Sequence, residues 1–164
     1  MNQSLNNTAQ VLQIIHHEID VMQSLAQLLE EEQLVLIDNE SDKLEVITPN
    51  KNSLLSKVVE LEKSRSQVLA QLGLSNDAVG MSQFLAMNSH NAELELAWKS
   101  LLAISSAAQE QNKNNGQLIN RQLSKNQAAL NVLQSGSAHQ AGSMYGADGQ
   151  SKVKSNANRG IVAG

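Results

Sequence analysis

Four histidines, His16, His17, His90 and His139, are the side chains here whose ordinary proton affinity suits acid–base or phosphoryl chemistry near neutral pH. His16 and His17 are adjacent on a helical stretch, so they point about 100° apart and cannot chelate one ion together. No Glu-x-x-His pair exists, which removes a carboxylate-bridged metal bundle. There is no cysteine to serve as thiolate nucleophile, disulfide partner or metal ligand. A glycine-rich phosphate loop and a nucleophile elbow are both missing. A histidine phosphotransfer bundle would fit the size. Glu18 and Asp20 beside the pair would repel a phosphoryl donor, however, and no Lys or Arg lies within a turn or two to hold it. The histidines read as solvated or half-buried side chains, and the chain as a non-enzyme without metal or cofactor.

The elements that carry these residues read as helices. Hydrophobic residues make up 41 % of the 164, but aromatics only 2 %, with a single Pro. Leu, Ile, Val and Ala without rings suit long helices packed side by side. Net charge is −4, which disfavours nucleic acid as a main partner. The N-terminal MNQSLNNTAQ lacks the pattern of a signal peptide, and no apolar run approaches the roughly 20 residues that span a bilayer. A cytoplasmic location without membrane insertion is expected.

The first helix is expected over residues 5–37, with a stripe at Leu12, Ile15, Ile19, Met22, Ala26, Leu29 and Leu36, interrupted by Gln33. Val11, Leu25, Leu28 and Val35 widen it enough to touch two neighbours. After the polar break Asp38 to Asp42, the pair Asp42 and Glu45 reads as a capping box. A second helix over 42–72 keeps a heptad at Leu44, Ile47, Lys51, Leu54, Val58, Leu61, Arg65, Val68 and Leu72. Lys51 and Arg65 occupy its seam, where a polar residue fixes register. Pro49 should kink or restart this helix, with Thr48 as cap. The seven acids from Glu30 to Glu45, against one Lys, read as a solvated helix–helix corner.

Residues 73–90 are a loop or short helix in which Val79, Phe84, Leu85 and Met87 cover the bundle end. A third helix over 91–134 runs through Leu94, Trp98, Leu101, Ile104, Ala108, Asn115 and Ile119. Asn115-Gly116 is a turn signal, yet the stripe keeps its phase across it, which favours one helix over two. Trp98 is expected in the core. From Ser135 onward the leucines stop and glycine accumulates, so 135–164 is expected to be a flexible tail. The fold class is therefore all-α: an elongated antiparallel three-helix bundle or coiled-coil hairpin with a long third helix and a disordered C-terminal tail, its helical domain spanning 1–134.

Helices of roughly 45–50 Å cannot cover a third of about 60 Å. The C-terminal half of the third still carries Leu118, Ile119, Leu123, Leu130, Val132 and Leu133. Such a stripe is a docking surface for a target helix or a second copy, unless the first helix or the 73–91 segment covers it.

The residues also resemble a known family. Leu28-Leu29-Glu30-Glu31-Glu32, Lys51-Asn52-Ser53-Leu54-Leu55, Leu61-Glu62 with Arg65, Trp98, Asn115-Gly116, Leu118-Ile119 and Asn126 to Leu133 follow its order. The tail adds Tyr145-Gly146-Ala147-Asp148-Gly149-Gln150, the most specific element. Together these look like the FlgN family of flagellar type III export chaperones. Pro49 departs from the pattern, and 73–91 does not align.

The resemblance implies binding to the C-terminal helices of unassembled hook–filament junction proteins, FlgK and FlgL, and delivery to the export apparatus. Leu118, Ile119, Gln122, Leu123, Asn126, Ala129, Leu130 and Leu133 are the expected cargo-binding residues. Tyr145, Gly146, Asp148 and Gly149 are the expected docking residues for the export gate. A self-associating coiled coil without client is the structural rival, and a homodimer remains open.

Overall fold

In a computed structural model, four helices follow in order: α1 (Asn2–Ile37), α2 (Ser41–Gln71), α3 (Ala78–Met87) and α4 (Ala92–Met144). The structure describes residues 2–144, with the side chains of residues 5–136. Among the described residues there is no strand, so the all-α bundle is confirmed. No helix among them is long and apolar enough to cross a membrane. The chain divides into two units, Met1–Asn120 and Arg121–Gly164.

In the first unit, α1 buries one strict heptad line: Thr8, Val11, Ile15, Glu18, Met22, Leu25, Leu29, Glu32 and Leu36. The stripe expected at Leu12, Ile19 and Ala26 is its half-buried flank. The difference arises because α1 faces two helices, so its innermost line contains acids that an apolar count passes over. On α2 the seam is as expected: Ile47, Arg65 and Val68 are buried, while Lys51, Leu54, Val58 and Leu61 are half-buried. Glu18 meets Arg65 and Glu32 meets Lys51, so α1 and α2 run antiparallel. His16 meets Glu93 and Leu29 meets Asn115, so within this unit α4 returns parallel to α1.

Both ends of α2 have a local cause. Asn39 takes φ 59 and lets the Glu40 N–H reach the Val35 carbonyl at 3.0 Å. Gly73 takes φ 73 after α2, and the N–H groups of Leu74 and Gly73 close on Leu69 and Ala70, both at 3.0 Å. That left-handed residue with paired closing bonds is a Schellman stop.

Three local expectations are corrected. The capping box does not form: α2 begins at Ser41, Asp42 lies inside its first turn, and no side chain caps it. Asp42 instead faces the positive end of the helix dipole. Pro49 does not restart the helix, because it sits on an exposed face where water can satisfy the carbonyl it leaves unpaired. The acidic corner is not wholly solvated, since Glu32 is buried.

Residues 73–90 contain the helix α3. Asp77 caps it, accepting from the Gly80 N–H at 3.0 Å and from the Ser75 hydroxyl at 2.6 Å. These bonds hold the Asp77 carboxyl below its ordinary range, the Ser75 hydroxyl contributing most. Met81 and Phe84 are buried with Val11, Ile15, Val68 and Leu69, so α3 closes one end of the bundle. Asn91 then caps α4 by accepting from the Leu94 N–H at 3.0 Å. That helix is unbroken across Asn115-Gly116 and continues to Met144, beyond the expected end at 134.

Candidate helix-docking site

Two polar layers cross the first unit at the seam positions of α2. In one, the Arg65 Nε donates to Glu18 Oε2 at 3.0 Å, and its guanidinium lies 4.9 Å from the centre of the Trp98 ring. In the other, the Lys51 ammonium donates to Glu32 Oε1 at 2.5 Å. There the Asn115 amide donates to Glu32 Oε2 and to the Leu29 carbonyl, both at 2.8 Å. Asn115 therefore belongs inside a helix here because its side chain satisfies a buried carboxylate. Burial pushes the Glu18 carboxyl above its ordinary range; the hydrogen bond and charge of Arg65 only partly offset this, and Glu62 adds to it.

Between these layers α2 and α4 leave a groove of about 560 Å³, floored by Met22, Leu25 and Leu29 of α1. Leu55 and Val58 form one wall, and Leu101, Leu102 and Ala108 the other. Arg65, Trp98 and Asp77 stand at one end; Lys51 and Asn112 stand at the other. Trp98, expected in the core, is half-buried against this groove. The groove is a gap between helices, so no single-helix pattern announces it. Glu18 and Glu32 were the available signal, since each falls on the α1 heptad that faces a cation on α2.

Among the expected cargo-binding residues, Leu118 and Ile119 lie in the first unit and are half-buried. In the second unit Gln122 is half-buried, while Leu123, Asn126, Ala129, Leu130 and Leu133 are exposed. Leu123 is 62 % exposed, Leu130 52 %, Val132 71 % and Leu133 69 %. The expected docking residues Tyr145, Gly146, Asp148 and Gly149 lie outside the described residues. His16 and His17 are exposed; no group of three or more metal-ligating side chains occurs among the described residues.

No solved structure matches this chain. Among curated proteins, the flagella synthesis protein FlgN of Salmonella typhimurium is 31 % identical over 124 residues, covering 76 % of each chain. The flagella synthesis protein FlgN of Proteus mirabilis is 27 % identical over 154 residues, covering 93 % of this chain and 92 % of that protein. The family described as FlgN protein matches residues 1–152. With nearly its whole length matched, the chain belongs to the FlgN family.

Proposed function

We propose that this chain acts in flagellum synthesis as a cytoplasmic, non-enzymatic export chaperone. It binds the C-terminal helices of unassembled hook–filament junction proteins, FlgK and FlgL, and hands them to the export apparatus. The observation that carries the reading is the exposed apolar run Leu123, Leu130, Val132 and Leu133 on α4, in a chain of the FlgN family. Side chains of that size, left in water along one helix, release about 1.5–3 kcal/mol each when a partner helix covers them. A client helix laid along Leu118, Ile119, Gln122, Leu123, Asn126, Ala129, Leu130 and Leu133 would gain that energy and lose its own tendency to associate early. No nucleotide or metal enters, because occupancy alone holds the client unassembled. The Tyr145–Gly149 segment serves delivery.

The test is capture of purified junction proteins by the tagged chain, with and without residues 135–164. Capture by both forms, and its loss in Leu123→Asp with Leu130→Asp, is expected. Undiminished capture by that double variant would remove α4 as the client site.

A further inference from the structure

A second seam runs between α1 and α2, sharing no residue with the groove between α2 and α4 and lined by none from α4. Two shallow grooves of about 380 Å³ and 340 Å³ follow one another along it, and Lys57 lines both. Val21 and Leu61 line the first, Leu28 and Leu54 the second, all four half-buried. Leu34 stands seven residues beyond Gln27, and Val46 seven before Ser53, so both continue rows that line the second groove. These two are 61 % and 66 % exposed. The apolar line from Val21 to Leu34 is about 20 Å long at about 1.5 Å per residue.

The charge around this line is mostly of one sign. Asp20, Glu31 and Glu60 line the grooves, Asp38 stands seven residues beyond Glu31, and Asp42 stands four before Val46. All five are exposed, and none has an ion-pair partner among the described residues. Lys57 and His17 are the basic side chains that line the grooves with them. An acidic helix laid here would be repelled, and a neutral one would strip water from carboxylates without replacing it. Lys or Arg on either flank of the incoming helix would pair with them.

We propose that this α1–α2 face docks a basic amphipathic helix of a partner protein. The apolar stripe of that helix covers Val21, Leu28, Leu34, Val46, Leu54 and Leu61. Its Lys or Arg side chains, along the two edges, meet Asp20, Glu31, Asp38, Asp42 and Glu60. Two neighbouring helices present a trough into which a third sets its side chains, and the five carboxylates decide the charge of the one that fits. The face shares no residue with the client site proposed above, so the inference stands apart from that reading.

Titration of the full chain with a synthetic amphipathic helix of leucine and lysine, about 16 residues long, tests the face. The chain should bind this peptide, more weakly as salt is raised, and should not bind the same peptide with glutamate in place of lysine. Leu34→Ser with Val46→Ser, and Glu31→Lys with Glu60→Lys, should each raise the dissociation constant about tenfold or more. All four side chains are exposed, so the melting of these variants should stay close to that of the natural chain. Glu95→Lys with Glu110→Lys makes the same change of net charge on α4 and should leave binding unaltered, which separates the face from general attraction. Leu123→Asp with Leu130→Asp should also leave it unaltered, which separates this site from the client site. No binding, equal binding of the glutamate peptide, indifference to the face variants, or an equal effect of the α4 charge changes would overturn the proposal. So would self-association of the chain alone that the face variants abolish, because a second copy would then be the occupant.

Discussion

Glu18 on α1 and Arg65 on α2 meet at 3.0 Å, and two heptads further along each helix Glu32 meets Lys51 at 2.5 Å. The equal spacing means that one antiparallel register satisfies both pairs, whereas a slip of one heptad either way sets a buried acid against Val58. Removing one partner strands a buried charge, which costs about 3–5 kcal/mol. Replacing both by apolar residues can cost far less. Glu18→Leu and Arg65→Leu should therefore each destabilise more than the double variant. Chemical denaturation of all four proteins measures the coupling.

The Glu18 carboxyl also sets a pH dependence. Its native proton affinity lies above the ordinary value of 4.5 because burial outweighs the attraction of Arg65. A carboxyl raised in the folded state favours folding fully below its unfolded value, and that contribution is lost as pH rises through the native value. Against Glu18→Gln, which cannot titrate, the natural chain should thus lose relative stability as pH rises across this range. Melting temperatures of both proteins in a pH series measure it, and a gap that stays constant would contradict the burial argument.

What could be read from the sequence followed from how many neighbours each helix has. The α2 seam was legible, Lys51 and Arg65 included, because one dominant partner imposes one strict heptad. On α1, contact with both α2 and α4 widened the apolar face, and Glu18 and Glu32 were hidden because acids do not count toward an apolar stripe. Asn115-Gly116 carries a turn signal in its residue types, but the phase of Ile104, Ala108 and Ile119 across it outweighed that signal. The groove was illegible because it is space between α2 and α4, a property of how far two helices stand apart. Leu123, Leu130 and Leu133 were legible as an apolar run, since helices of roughly 45–50 Å are too short to cover one of about 60 Å.

Pro49 tests how much an exposed helix interior tolerates. It lies inside α2, removing one backbone donor and leaving the Glu45 carbonyl to water. Replacement by alanine restores that bond and removes a propensity penalty of up to about 3 kcal/mol. Because the site is exposed, nothing should clash. Pro49→Ala is expected to raise the melting temperature without altering the Lys51–Glu32 pair, and thermal unfolding checks it.

Gly116 tests what glycine costs inside a continuous helix. It lies inside α4, where glycine costs about 0.5–1 kcal/mol relative to alanine, and an added Cβ would meet nothing within 4 Å. Gly116→Ala should therefore stabilise the folded chain by about that amount in denaturant titration. A raised denaturation midpoint of that size checks the argument, whereas a lowered one would mean that the added methyl group meets a neighbour at this point of α4.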